Sequence, residues 1–180
     1  MMNNVERIIK FGKSRKNMKQ LLQQYAAYNI WANKRIIERV LHLQAEIIQK
    51  DVPSSFPSIF QTILHMLDAG SMWWQRLKLA EHVERPSNNF TGTVEELTTM
   101  LIKNSQQWEE WIEHAGENQL VHVFAYQNSK REQFKQPVFE MLVHLFNHQT
   151  YHRGQIVTMF NALGVDKIPP TDFIVFSRKK

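Results

Sequence analysis

The stretch PVFEMLVHLFNHQTYHRGQIVTMFNALG, residues 137–164, decides how this chain is read. Pro137 suits the opening of a helix, Glu140 complements the positive end of the helix dipole, and Leu163-Gly164 makes a C-terminal stop. Between them Met141, Leu145, Ile156, Met159 and Leu163 return at helical intervals. Taking His148 as zero at about 100° per residue, these apolar residues fall within about 80° and His152 within about 40°. The two histidines therefore share the inward edge of the apolar stripe. Two neutral imidazoles buried there without partners would cost roughly a few kcal/mol, so something must satisfy them.

Upstream, residues 119–135 lose the helical period. Leu120 to Tyr126 is β-prone, Gln127-Asn128-Ser129-Lys130 reads as a turn, and Arg131 to Lys135 can pair back, which predicts a short β-hairpin. Thr93 and Glu96 form a capping box for a third helix that buries Val94, Leu97, Leu101, Trp108 and Ile112, and Gly116 follows its end. Arg85-Pro86-Ser87-Asn88-Asn89 breaks the pattern before it. A second helix is expected to begin near Ser54–Ser58, with a serine cap and Pro57 in the first turn. Its apolar side reads Ile59, Ile63, Met66, Gly70, Trp73, Trp74 and Leu77. The first helix spans about Asn17 to His42, on Met18, Leu22, Tyr25, Tyr28, Trp31, Ala32, Ile36 and Val40. Trp31, Trp73, Trp108 and Trp111 fall at core-compatible positions. Four such helices predict an all-α fold, a four-helix bundle with a short hairpin between helices 3 and 4.

Five basic residues (Arg7, Lys10, Lys13, Arg15 and Lys16) crowd the first 16 positions, and Arg178, Lys179 and Lys180 close the chain. The net charge of +5 thus belongs to the ends, and the body between them is slightly acidic. The division expected is a basic N-terminal extension (1–16), a bundle domain (17–176) and a basic tail (177–180). Nucleic acid requires a basic, aromatic-interleaved surface, and basic ends of this kind read first as solvated tails, which leaves a phosphate-binding arm as a weak alternative. The absence of Cys removes disulfides, Cys-ligated zinc, iron–sulfur clusters and a protein thiol nucleophile. The six glycines, at 12, 70, 92, 116, 154 and 164, are too scattered for a phosphate-binding loop or a nucleophile elbow. No apolar run approaches the ~18 residues of a membrane span, and no signal-peptide core opens the chain, so the cytoplasm is the expected compartment.

A metal is the natural partner for the histidines. His148 and His152, four apart, can bind one ion from a single helix face. His65 on the second helix is flanked along its strip by Ser58, Thr62, Ala69 and Met72, mostly small residues that read as a cavity wall. His65, His148 and His152 could therefore meet in the bundle interior, where such sites are built. Gln149 follows His148 where a zinc protease would carry its glutamate, which removes that reading. His144 lies nearer the boundary and is read as an outer or interface group. His42, His82, His114 and His122 are read as surface or loop residues.

The segment His144-Leu-Phe-Asn-His148-Gln-Thr-Tyr-His152-Arg-Gly-Gln155 resembles the signature of the DinB/YfiT-like superfamily of metalloenzymes. Tyr28-Asn29-Ile30-Trp31-Ala32-Asn33, His65 ahead of Trp73-Trp74, and Pro169-Pro170-Thr171-Asp172-Phe173-Ile174 agree with it. The resemblance spans residues 17 to 176. It implies a four-helix bundle whose His65, His148 and His152 bind a divalent metal, usually zinc or nickel, often in a homodimer. It also implies, from some relatives, a low-molecular-weight thiol cosubstrate used in S-transfer or isomerisation.

Three neutral histidines would leave such an ion an open coordination position, as in catalytic sites. With no Cys in the chain, a thiol activated there must come from outside. The leading expectation is a metal-dependent transferase that directs this thiol at a small electrophile. Asp68, Tyr151 and Arg153 are expected to support the ligands from within about a turn. One alternative is a hydrolase using metal-activated water. Another is a dimeric metal-binding or stress-response protein without catalysis. In each case, ordinary imidazoles predict release of the ion near pH ~6.

Overall fold

The computed structural model describes residues 4–128 and 130–178, with side chains from Asn17 onward. Its elements are α1 (Asn4–Leu41), α2 (Ala45–Gln49), α3 (Ile59–Leu77), α4 (Val94–His114), α5 (Glu117–Val121), β1 (Val123–Gln127), β2 (Gln133–Pro137), α6 (Val138–Ala162) and α7 (Phe173–Ser177). A 3-10 turn at Pro86–Asn88 lies between α3 and α4. The four long helices are those the sequence implies. The backbone of α1 starts at Asn4 and passes residue 17 without a break, while the side chains of residues 1–16 lie outside the described residues. Lys179 and Lys180 lie outside them as well.

The helix ends follow from their local chemistry. Ser58 caps α3 by accepting from Gln61 N at 3.2 Å, which leaves Pro57 ahead of the cap rather than in the first turn. The Thr93–Glu96 capping box forms in both directions, at 3.3 and 2.8 Å. At the end of α6, Gly164 adopts φ +70°, and Val165 N donates to Phe160 O at 2.8 Å while Gly164 N donates to Asn161 O at 3.2 Å. This is the left-handed stop that favours glycine. The hairpin forms with antiparallel register Val123↔Pro137 to Gln127↔Gln133. It sits two to three residues further along than its β-prone composition suggests, because Glu117–Val121 coils into α5 and buries Leu120.

α1 packs on α4 and α6, and α3 packs on the same two helices. Thus α1 and α3 occupy opposite corners, and the chain crosses the bundle twice, over Leu41–Ile59 and over Ala115–Pro137. One apolar core gathers Ile36, Val40, Ile59, Ile63, Leu97, Ile156 and Phe160, and a second gathers Leu22, Trp108, Ile112, Phe124, Leu142 and Phe146. Of the four tryptophans placed in the core from sequence, Trp108 is fully enclosed, and Trp31, Trp73 and Trp111 are half-buried. α7 folds back on α1, stacking Phe173 on Tyr25 at 5.1 Å and setting Phe176 against Trp31 at 5.6 Å.

Between the two cores runs a polar layer. Arg153 of α6 donates to Asn29 and Asn33 of α1, Asn33 donates to Ser105 of α4, and Gln149 donates to the Met66 carbonyl of α3. Trp108 Nε1 reaches the Gly70 carbonyl at 3.3 Å, and a side chain at residue 70 would collide with Asn104. Arg153 Nη1 and Nη2, Asn33 Nδ2, Gln149 Nε2 and Trp108 Nε1 are thereby given acceptors, as a low-dielectric interior demands, while Arg153 Nε is left without one. This layer fixes the rotation of α6 against α3, and so where their histidines face.

Candidate metal centre

His65 from α3 and His148 and His152 from α6 converge. His148 Nε2 lies 3.1 Å from His65 Nε2 and 3.1 Å from His152 Nε2, and one ring nitrogen of each residue lies within 4.8 Å of the others. Nitrogens at ~2.05 Å from a tetrahedral zinc-like ion stand about 3.3 Å apart, so the trio is already near metal-ligand spacing. His152 is buried, and His65 and His148 are half-buried, leaving one side of the cluster open. Among the described residues, this is the one grouping of His, Asp or Glu with ligand spacing.

The chemistry of the donor set fits a cation. Gln155 Oε1 accepts from His152 Nδ1 at 2.7 Å, which puts the His152 proton on Nδ1 and turns an Nε2 lone pair toward the cluster. Gln155 is braced in turn, donating to Ser55 Oγ at 2.7 Å and Tyr151 Oη at 3.1 Å. With three Nε2 atoms converging, a proton on His148 cannot serve both neighbours well, whereas a cation accepts all three lone pairs. His148 Nδ1 is buried without a partner, so its outer side lacks the brace that His152 has.

Electrostatics keep the donors neutral. Burial first, then the His152 ring and Arg85, lowers His65 to about 4 against an opposing pull from Asp68. Burial, followed by the three neighbouring histidines, lowers His148 to about 3. His152 is also lowered by burial, partly offset by its bond to Gln155. At neutral pH all three rings carry free lone pairs, the form a metal requires.

The supporting residues expected from sequence fare differently. Asp68 does not turn to the histidines: its Oδ1 accepts from Ser87 N at 2.8 Å and its Oδ2 from Ser87 Oγ at 2.6 Å, because an unpaired buried carboxylate would be costly. Arg153 points away into the polar layer. Tyr151 is 60% exposed and touches the site through its ring edge on His152, 5.0 Å between centroids, and through Gln155. His144 is exposed, with its ring 5.9 Å from His148 and 5.6 Å from Trp73, and stays outside the cluster. His42 and His114 are surface residues turned to carbonyls of their own helices, and exposed His82 lies 3.9 Å from Glu81.

Two contributors escape sequence reasoning. Phe56, in the loop before α3, stacks on His65 at 4.0 Å and meets His152 edge-on at 5.7 Å, roofing the space that the small residues around His65 leave. Gln155 carries the spacing signal that could have revealed it, three residues after His152 and thus on the same helix face.

A profile of the DinB family matches residues 17–179. Over 155 residues the chain is 30% identical to Protein DinB of Bacillus subtilis (strain 168), covering 81% of this chain and 87% of that protein. A DinB-like protein from Bacillus cereus ATCC 10987 superposes with TM-score 0.64 at 15% identity, covering 83% of this chain and 94% of the other. A protein described as a DinB family member from Exiguobacterium sibiricum 255-15 gives TM-score 0.64 at 15% identity, covering 86% and 97%. At that identity the two structural likenesses concern the fold.

Proposed function

The chain belongs to the DinB family, and from that premise we propose that it is a divalent-metal-dependent enzyme that directs an external low-molecular-weight thiol at a small electrophile. The observation that carries the reading is the 3.1 Å convergence of neutral Nε2 atoms from two helices. His65, His148 and His152 would hold a zinc- or nickel-class ion, with one side open to a ligand. An ion so held supplies the positive charge that keeps a bound thiol deprotonated at neutral pH. Gln155 fixes the His152 ring, and Phe56 shields the His65 face from water. The chain has no Cys, so the sulfur must arrive as cosubstrate. It forms the new bond to the electrophile as the leaving group departs with its electron pair, the thiol proton passing to solvent. Hydrolysis is less well served, because Asp68 has both oxygens committed to Ser87.

The test is to incubate metal-loaded protein with small thiols and a chromogenic electrophile. A thiol-dependent rate above that of metal-free protein supports the reading; no such rate with any thiol overturns it. Turnover without thiol would point to hydrolysis. Homodimerisation and a cytoplasmic setting belong to the same proposal. Val143 and Tyr151, exposed apolar residues on α6, offer a contact between copies, and a monomer mass by light scattering would remove the dimer.

Two further outcomes are expected. Gln155→Leu removes the acceptor that orients His152 and should weaken metal affinity by roughly 10–100-fold. Competition with a chromophoric chelator measures this, and an unchanged affinity would show that the His152 ring needs no brace. The second outcome concerns pH. His65 near 4 and His148 near 3 lower the expected point of metal release below the pH of about 6 set by ordinary imidazoles. The ion should therefore remain stoichiometric at pH 5.5 in elemental analysis of untagged protein. In the metal-free protein, unfolded imidazoles take up protons below about 6.5 that the folded rings refuse down to about 4. Stability should thus fall as pH drops through that window and stay flat above it. Thermal melts check the sign, and His148→Ala should show a shallower fall.

A further inference from the structure

A cavity of about 730 Å³ opens between the C-terminal half of α3, the loop that follows it and the β-hairpin. Arg76, Arg85 and Arg131 line it, with Met72 and Tyr126 on its walls. The three imidazoles do not line it, but Met72 and Arg76 of its wall continue the face of α3 that carries His65. Met72 is two helical turns, about 10 Å, beyond His65. Trp73 bridges the other wall, edge-on to Tyr126 at 4.9 Å and to His144 at 5.6 Å.

Arg76 and the backbone that carries Arg85 are held in place, and among the described residues neither guanidinium has a counter-ion. Arg76 lies against Trp73 and Tyr126, 4.7 and 5.7 Å from their ring centres, and its Nε is buried with no hydrogen-bond partner. Arg85 follows a clamped backbone: Gln75 takes both the N–H and the carbonyl of Glu84 at 2.8 Å, and Asp68 takes both donors of Ser87. Among the described residues, neither arginine has a carboxylate within ion-pair distance. The acidic group on the cavity lining is Glu81, an exposed side chain 3.9 Å from exposed His82. Arg85 is close enough to disfavour the charged forms of both Arg76 and His65. Arg76 lies eleven residues beyond His65, on the same face of α3, and Arg85 shares the cavity wall with it. Gathering like charges on a braced scaffold is unfavourable until an anion joins them, and guanidinium forks match carboxylate and phosphate oxygens.

We propose that this cavity holds the anionic end, carboxylate or phosphate, of a small ligand whose reactive end meets His65, His148 and His152, with Arg76 and Arg85 as the anion's donors. The proposal rests on the metal-centre reading for the reactive end alone. Its ligand class is a thiol or electrophile carrying an oxyanion about 10 Å from the reacting atom.

Cobalt-loaded protein gives the test, since thiolate coordination produces an absorption band. Mercaptohexanoate, mercaptohexyl phosphate and mercaptohexanol are titrated against wild type, Arg85→Gln and Arg76→Gln. The better of the two anionic thiols should bind roughly tenfold more tightly than the alcohol. That advantage should vanish in Arg85→Gln, whose exposed side chain leaves folding intact, even if Arg76→Gln misfolds. Whether carboxylate or phosphate binds better names the source. Equal affinities in wild type, or an advantage kept in Arg85→Gln, overturn the inference while leaving the metal reading intact. Should no band form with any thiol, the metal reading falls, and calorimetry of metal-free protein with inorganic phosphate and succinate decides the anion site. Saturable binding weakened in Arg85→Gln supports it, and its absence overturns it.

Discussion

Replacing His148 with alanine should abolish tight binding of a divalent ion, a larger loss than the roughly 10–100-fold of an outer-shell change. His148 is central to the trio: both 3.1 Å contacts run through its Nε2, and without it one nitrogen from each of two helices remains. The metal-free variant should lose little stability, because His148 Nδ1 has no partner to forfeit and the ring crowds two others. Stabilisation by metal separates the two effects. At a free concentration ~100 times its dissociation constant, an ion should stabilise the wild type by about 2.7 kcal/mol and the variant by almost nothing. Thermal melts with and without zinc or nickel read this difference. His144→Ala is the control, since that ring is exposed and outside the cluster, and its metal response should match wild type. Equal stabilisation of His148→Ala would mean that the ion sits elsewhere.

What was legible in the sequence follows from the range of each signal. Helical period is local, so α1, α3, α4 and α6 could be read from their apolar stripes, and the Thr93–Glu96 box from spacing alone. The inward angle of His148 and His152 was equally local, and so was the small-residue strip at His65. Partner choice is not local. Asp68 and Arg153 lie beside His65 and His152 in sequence, yet Asp68 turns to the loop at Ser87 and Arg153 to α1. Burial drives each to the nearest group that can satisfy it, and sequence proximity does not name that group. Phe56 belongs to a loop with no period at all, so its stacking on His65 had no signal to carry it. The connections were hidden for the same reason: two crossings of the bundle depend on which corners the helices occupy.

Arg153→Ala should be the most destabilising single change in the polar layer. The side chain is 1% exposed and donates to Asn29 Oδ1 at 2.7 Å, Asn33 Oδ1 at 2.9 Å and Thr150 Oγ1 at 2.8 Å, with its guanidinium 5.3 Å from the Tyr28 ring centre. Truncation leaves two buried amide oxygens unpaired, at about 1–3 kcal/mol each, and opens a cavity in the middle of the bundle. Partial relaxation and water entry recover some of this, so a net loss of about 3–5 kcal/mol is expected. For a chain of this size that is a fall in Tm of roughly 10 °C. Arg153→Met should cost less, because it fills the space and removes a charge that burial already disfavours. The order Ala worse than Met tests whether volume matters as well as hydrogen bonding. Because the guanidinium faces α1 while His148 and His152 face His65 of α3, metal affinity in the folded Met variant should stay within a few-fold of wild type. A loss under about 1 kcal/mol for Arg153→Ala would mean that Asn29 and Asn33 find other donors. A collapse of metal affinity in a well-folded Met variant would return Arg153 to the service of His152.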